Sequence, residues 1–133
     1  MTVAYLDTSA AMKLVIEEPQ SDALVAELLA RDDRQIISSW LLHAELPCAA
    51  GRHPDDVELG AVRAVLDVVS LIDITRGDLL SAGTHAPLRA SDAIHLAVAL
   101  RVGSEEIVTY DAELAEAANA AGVTVLSPGM NSG

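Results

Sequence analysis

The chain alternates short apolar runs with longer stretches in which apolar residues recur every three or four positions. A short apolar run predicts a strand that is buried on both faces, and the longer spacing predicts a helix with one buried face. The strands are predicted at residues 3–6, 35–38, 70–74, 107–108 and 123–126. The helices are predicted at 10–16, from residue 21, at 40–50, from residue 54, at 76–85, at 93–102 and after residue 111. This alternation indicates an α/β fold with a mainly parallel sheet of about five strands.

Polar residues predict where several helices begin. Ser21, Ser38 or Ser39, and Ser91 each precede a helical pattern, and a serine there can accept a backbone N–H at the start of a helix. Pro54 is followed by two acids, which is typical of a first helical turn.

The helix interiors carry three further expectations. Pro47 lies within the helix at 40–50 and crowds the carbonyl of His43, so we expect a kink or a late restart. The helix at 93–102 is apolar on nearly all sides and should run through the middle of the domain. The helix from residue 21 is expected to bury one stripe, made of Leu24, Val25, Leu28 and Leu29.

Composition restricts the class of protein. With 133 residues, of which 51% are hydrophobic, the chain is most simply one domain at 1–126 with a loose tail at 127–133. A net charge of −12 argues against a broad basic surface for nucleic acid, and 2% aromatic residues argue against extended base stacking. Cys48 is the only cysteine, so neither a disulfide framework nor a zinc cluster is expected, and we predict that it lies in the core. No apolar stretch is long enough for a membrane span and no export signal precedes the first strand, so a cytoplasmic protein is expected.

Four acids stand where their side chains could converge at one end of a parallel sheet: Asp7, Glu45, Asp92 and Asp111. Each also has a structural interpretation, because Asp111 can cap a helix and Asp92 can favour a helix dipole. Several carboxylates held together without a cation repel one another, and a divalent metal removes that cost. Oxygen ligands without convergent His or Cys favour Mg²⁺ or Mn²⁺, and such a site suits phosphodiester hydrolysis.

Other side chains supply candidates around these acids. Thr8, Ser9 and Thr109 are close in sequence to Asp7 and Asp111 and could orient metal ligands. His95 follows Asp92 by one helical turn and could approach the site, but on a buried helix we favour the interpretation as a hydrogen-bonded core histidine. The candidates for phosphate contacts, which could equally be ordinary surface charges, are Lys13, Arg52 and Arg89.

Together these motifs resemble the PIN domain ribonucleases and, within them, the VapC toxins of type II VapBC toxin–antitoxin pairs. The resemblance rests on LDTS at 6–9, KL at 13–14, EP at 18–19, Ser39 with Glu45 and Leu46, DAIHLA at 92–97 and VTYDAEL at 108–114. It implies an α/β/α sandwich whose four acids bind Mg²⁺ or Mn²⁺ and cleave transfer or ribosomal RNA. It also implies a homodimer and a cognate antitoxin, for which the helices at 10–30 and 40–50 could form a groove.

Rival functions fit the residues less well. A haloacid dehalogenase-type phosphatase needs a second Asp two positions after Asp7, where this chain has Ser9. A receiver-like phosphoacceptor needs a late lysine, and Lys13 is the only lysine. A PIN nuclease for RNA processing without an antitoxin remains an alternative. So does a PIN binding module without catalysis, although such a module usually lacks one or more of the acids.

Overall fold

The computed structural model describes residues 1–130, in which five parallel strands form one sheet. The strands are β1 (Thr2–Leu6), β2 (Arg34–Ser39), β3 (Ser70–Ile72), β4 (Glu106–Val108) and β5 (Thr124–Leu126). Their order across the sheet is β3-β2-β1-β4-β5, and every neighbouring pair is parallel. The predicted α/β fold with a parallel five-stranded sheet is therefore confirmed.

Within residues 1–130, seven α-helices connect and cover the strands. They are α1 (Thr8–Val15), α2 (Ser21–Leu29), α3 (Trp40–Ala50), α4 (Ala61–Val68), α5 (Arg76–Ala82), α6 (Ala90–Arg101) and α7 (Ala112–Ala120). A single 3₁₀ turn, Gly83–His85, continues from α5. No helix within residues 1–130 has the length and apolar character that crossing a membrane requires.

The core lies on both faces of the sheet because successive strand residues point to opposite sides. Leu6 packs in the cluster that α1 to α4 form on one face. Tyr5, its neighbour in β1, packs on the other face with residues of α6 and α7. Six residues of α6 are buried, which confirms that this helix runs through the middle of the domain.

Two of the predicted serine caps differ from those observed. Ser39 accepts the backbone N–H of Leu41 and caps α3 as expected. Ser21 is instead the first residue of α2, and its hydroxyl donates to the carbonyl of Lys13 at 2.7 Å. Arg89, not Ser91, is the N-cap residue of α6. Both serines lie one or two positions inside the helix, where their hydroxyls are not placed to cap its first N–H groups.

The helix predicted to begin at Pro54 begins later. Residues 54–59 form turns, and α4 begins at Ala61. Gly60 precedes it with a φ of 86°, in the left-handed region that favours glycine. This backbone conformation separates the turns from the helix, so the proline and the acids after it do not lie in a first helical turn.

Helix α3 continues through Pro47 without a break, so the alternative of a late restart is wrong, while the alternative of a kink stays a prediction. Leu46, next to the proline, and Leu42, one helical turn earlier, are both fully buried. Their packing holds these two turns of α3 against the sheet. The buried face repeats every fourth residue and includes Ala50. Cys48 lies off this face and is exposed, so its predicted core position is wrong.

The buried stripe of α2 is narrower than predicted. Leu24 is fully buried, whereas Val25 is 43% and Leu29 76% exposed. The helix packs mainly on α1, and only Ser21 and Leu24 of its residues are buried.

The predicted loose tail falls partly on residues 131–133, which lie outside the described residues. Within the described part, the Ser127 hydroxyl donates to the carbonyl of Thr109, and the Tyr110 hydroxyl donates to the carbonyl of Pro128.

Candidate active site at the carboxyl end of the sheet

Asp7 lies directly after β1 and is only 2% exposed. Its carboxylate caps α1 by accepting the backbone N–H of Ala10 at 2.9 Å. The hydroxyls of Ser9 and Thr109 also donate to it, at 2.7 and 2.5 Å. Burial raises the pKa of Asp7, while the hydrogen bonds from Thr109 and Ala10 act in the opposite direction. The central strand therefore ends in a buried carboxyl group that neutral donors hold in place.

Asp111 lies three residues after the end of β4, in the loop next to that of Asp7. It caps α7 by accepting the backbone N–H of Leu114 at 2.8 Å, as the structural interpretation of this residue predicts. The Thr109 hydroxyl accepts the backbone N–H of Asp111, and Ser9 accepts that of Tyr110. Ser9 and Thr109 thus join the two loops that carry Asp7 and Asp111.

Asp92 lies half-buried in the first turn of α6. Burial, followed by the negative charges of Asp111 and Asp7, raises the pKa of Asp92 to about 6. Glu45 contributes a smaller effect in the same direction. The charges of Asp111, Asp7 and Glu45 therefore all act on Asp92, which means that the four predicted acids lie close together.

Glu45 projects from α3 with its side chain 28% exposed. Its Oε1 accepts hydrogen bonds from the Thr8 hydroxyl and from His95 Nε2, both at 2.7 Å. Burial raises the pKa of Glu45, but the hydrogen bonds from His95 and Thr8 outweigh it and leave the pKa below its ordinary value. Of the predicted orienting residues, Thr8 contacts Glu45, whereas Ser9 and Thr109 contact Asp7.

The four acids supply only oxygen ligands, which is the type of ligand atom that a hard divalent cation such as Mg²⁺ prefers. Within residues 1–130, no three His, Cys, Asp or Glu side chains are drawn together into a closed metal-ligand group. Asp7 and Glu45 are each held by donors of the protein itself. The metal site stays a prediction.

His95 contacts a candidate site residue that the sequence did not identify as its partner. It is 1% exposed and hydrogen-bonded, which confirms the interpretation as a core histidine. One of its partners is Glu45, a candidate ligand on another helix. The only sequence signal was its position three residues after Asp92, which places it close to the same helix face.

The predicted phosphate contacts differ in their surroundings. Lys13 is 13% exposed, pairs with Glu18 at 3.5 Å and lies over the ring of Tyr110. Arg52 is exposed next to the end of α3, and Arg89 is exposed at the N-cap of α6, three residues before Asp92. Neither arginine makes a salt bridge to another residue of the described chain.

Comparison with known proteins identifies the family of this chain. The sequence model of the PIN domain matches residues 4–120. Ribonuclease VapC46 of Mycobacterium tuberculosis is 37% identical over 132 residues, with 96% of this chain and 99% of that protein covered. The chain belongs to the PIN domain family and to its VapC group. The resemblance drawn from the motifs is thereby confirmed.

Solved structures agree with the fold of a PIN domain. The structure of VapC20 from Mycobacterium tuberculosis, described as a toxin that cleaves the sarcin–ricin loop, matches with a TM-score of 0.71 and 18% identity over 94% of this chain and 99% of that one. A toxin–antitoxin complex from Klebsiella pneumoniae matches with a TM-score of 0.67 and 21% identity over 94% of this chain and 97% of that one. At these identities the likeness shows the PIN fold alone.

Proposed function

We propose that this PIN domain is the ribonuclease toxin of a toxin–antitoxin pair and hydrolyses phosphodiester bonds of transfer or ribosomal RNA with the help of Mg²⁺ or Mn²⁺. The observation that carries the proposal is the set of four acids at one end of the sheet. Within residues 1–130, no Lys or Arg makes a salt bridge to any of them. Acids that the fold gathers but does not neutralise are suited to bind a cation. The ribonuclease name of a relative at 37% identity supports RNA as the substrate.

The cation would be held by Asp7, Glu45, Asp92 and Asp111. Once bound, it would supply positive charge that polarises the scissile phosphate and stabilises the charge that develops there. The protein itself fixes the carboxylates in advance. Ser9 and Thr109 donate to Asp7, and the burial of this group limits competition from water.

RNA would approach this end of the sheet despite the overall charge of −12. Arg89 stands at the N-cap of α6, on the turn that carries Asp92, and its guanidinium has no salt-bridge partner among the described residues. Arg52 is similarly exposed beyond α3, the helix of Glu45. We assign phosphate contacts to these two arginines, while Lys13, paired with Glu18, holds α1 to the following loop and contributes less.

We propose that the antitoxin covers apolar surface on α3, which belongs to the groove predicted between the helices at 10–30 and 40–50, and on α4. A concave surface of about 680 Å³ lies between the end of α3 and α4, with Pro54, Val57, Val62 and Leu66 among its lining residues. The toxin–antitoxin complex among the structural neighbours supports a partner of this kind.

A homodimer is also proposed, since Leu79 and Leu80 of α5 are 54% and 69% exposed. Light scattering should then give about twice the chain mass of 13.9 kDa, and a value near one chain mass would refute the dimer.

The deciding experiment compares the unaltered protein with Asp92→Asn. Asparagine keeps the shape of Asp92 but not its charge, so we expect cleavage of RNA to fall by about a hundredfold or more, because removing one preorganised stabilising group typically costs that much. The matched control is Asp22→Asn, which alters an exposed acid in the first turn of α2. Cleavage should require added Mg²⁺ or Mn²⁺ and stop with chelator.

Expression in cells tests the toxin role with the same variants. The unaltered chain and Asp22→Asn should arrest growth, and Asp92→Asn should not. Equal cleavage by all three proteins, or cleavage that persists in chelator, would refute the proposed site. Cleavage in vitro with no effect on growth would instead favour an RNA-processing nuclease.

A further inference from the structure

Tyr5 and His95 form a buried hydrogen-bonded pair that ends on a site carboxylate. Tyr5 lies on the central strand and is fully buried, and its hydroxyl is 2.6 Å from His95 Nδ1. The other ring nitrogen of His95, Nε2, is 2.7 Å from Glu45 Oε1. The two rings are packed edge to face, 5.6 Å apart at an angle of 71°. The pair thus connects the middle of the sheet to a residue of the candidate site.

Hydrogen-bonding rules give this connection a direction. An ionised carboxylate can only accept, so Nε2 is the nitrogen that carries the proton donated to Glu45. In the neutral ring Nδ1 is then an acceptor, and the donor that faces it is the Tyr5 hydroxyl. Burial raises the pKa of Tyr5, which keeps its proton on the phenol.

The Thr8 hydroxyl completes the arrangement around Glu45. It donates to Oε1, the same oxygen that accepts from His95, and it is itself 3.2 Å from His95 Nε2. Two donors from two different helices therefore meet at one oxygen. The other carboxylate oxygen, Oε2, is not used by either of them.

We propose that Tyr5 and His95 are positioning residues for Glu45: the carboxylate requires the His95 tautomer that donates from Nε2, Tyr5 holds the imidazole ring in place through Nδ1, and His95 thereby fixes the orientation of the Glu45 carboxylate. This inference rests on the proposed function only in giving Glu45 a ligand to bind. The chain of hydrogen bonds ends with Oε1 held and Oε2 left for that ligand. Indirect contacts of this kind tune metal ligands in proteins.

A purely structural role makes a different prediction. If the pair only fills the core, substitutions should change the free energy of unfolding and leave the Glu45 carboxylate undisturbed. Tyr5→Phe separates the two roles because it removes one hydroxyl and keeps the ring that packs with Ile37 and Ile107. Tyr110→Phe is the matched control, since it removes the only other tyrosine hydroxyl, which donates to the carbonyl of Pro128.

The first readout is NMR of the metal-free protein at one fixed pH. Nitrogen-15 spectra of the imidazole should show a single His95 tautomer, protonated at Nε2, in the unaltered protein and in Tyr110→Phe. Tyr5→Phe should keep this tautomer, because Glu45 still requires it, but should shift the Glu45 carboxyl carbon signal, because the imidazole ring is no longer held through Nδ1. An unchanged Glu45 signal in Tyr5→Phe would overturn the proposal.

The second readout is Mn²⁺ affinity by calorimetry, with urea unfolding of each variant to verify folding. We expect His95→Leu to weaken binding by about tenfold, which is the lower end of the usual effect of residues that orient metal ligands. His95→Gln places an amide donor near the position of Nε2 and should restore most of this loss, with Tyr5→Phe in between. Equal affinity of the Leu and Gln variants would contradict positioning through Nε2.

The two proposals fail separately in these experiments. A protein that binds no Mn²⁺ and cuts no RNA would refute the proposed function, while the NMR comparison would still decide the role of Tyr5. Conversely, metal-dependent cleavage with no response of the Glu45 carboxyl signal to Tyr5→Phe would keep the ribonuclease and remove the positioning pair.

Discussion

The two ends of the parallel sheet hold their acids in opposite surroundings. At the amino end, Arg34 begins β2 with its side chain only 2% exposed. It pairs with Glu27 of α2 at 3.1 Å and with Glu106 of β4 at 3.0 Å. The guanidinium therefore neutralises two acids and ties β2 to a helix on one side and to another strand of the sheet.

At the carboxyl end the acids receive no such neutralisation. Asp7 and Asp111 accept hydrogen bonds from hydroxyl and backbone N–H groups, and Glu45 from Thr8 and His95. Burial, followed by the negative charges of Asp111 and Asp7, raises the pKa of Asp92. An acid paired with arginine holds elements together, whereas an acid surrounded by neutral donors and other acids is prepared for a ligand from outside. This contrast, more than the number of acids, distinguishes the site from the scaffold.

The largest effect that this comparison predicts is on stability at the amino end. Arg34→Met should lower the free energy of unfolding by about 3 kcal/mol, because it leaves the largely buried Glu106 without its partner. The control is Arg31→Met, which breaks the exposed ion pair with Asp33 and should have little effect. Urea unfolding at neutral pH measures both. Equal losses in the two variants would mean that burial does not decide what these ion pairs contribute.

Much of this arrangement could be predicted from the sequence because it follows from local patterns. Apolar runs locate the strands, and parallel strands bring their carboxyl ends together, so the positions of Asp7 and Asp111 follow from β1 and β4. Asp92 follows in the same way from the first turn of a buried helix.

The predictions that were wrong concern the path of the backbone within helices and turns. Pro54 with its two acids has the composition of a helix start, but Gly60 adopts a left-handed conformation and delays the helix. Cys48 has an apolar side chain, yet the rotation of α3 places it away from the face that Leu42 and Leu46 bury. In both cases a residue preference was outweighed by the conformation of its neighbours.

The contacts that sequence reasoning could not supply join residues far apart in the chain. His95 and Glu45 are 50 positions apart, His95 and Tyr5 are 90 apart, and Arg34 and Glu106 are 72 apart. No local pattern indicates which polar side chains will meet across two elements, because that depends on the register of packed helices and strands. The same acid can therefore be predicted as a site residue while its immediate partner is not.

The smallest predicted effect is on the free energy of unfolding, in variants of two aspartates. Asp78 and Asp7 are equally buried, at 2% exposure each. Asp78 accepts from Arg101 Nε at 2.7 Å and forms a capping box with Thr75 at the start of α5. Burial raises the pKa of Asp78, but the hydrogen bonds from Arg101 and Thr75 outweigh it and leave the pKa below its ordinary value, whereas the pKa of Asp7 is raised. Because Asp78 is stabilised as an anion, Asp78→Asn should cost about 1–2 kcal/mol through its weakened charged hydrogen bond.

Asp7→Asn should give the opposite result in chelator. Asparagine caps helices about as well as aspartate, so α1 keeps its N-cap while an uncompensated buried charge is removed, and stability should stay equal or rise. Asp7→Ala is the matched control, because it removes the cap as well and should cost about 1 kcal/mol. RNA cleavage should be lost in both Asp7 variants and kept in Asp78→Asn. A loss of stability in Asp7→Asn as large as that in Asp78→Asn would place Asp7 with the scaffold acids and remove the distinction between the two kinds of buried carboxylate.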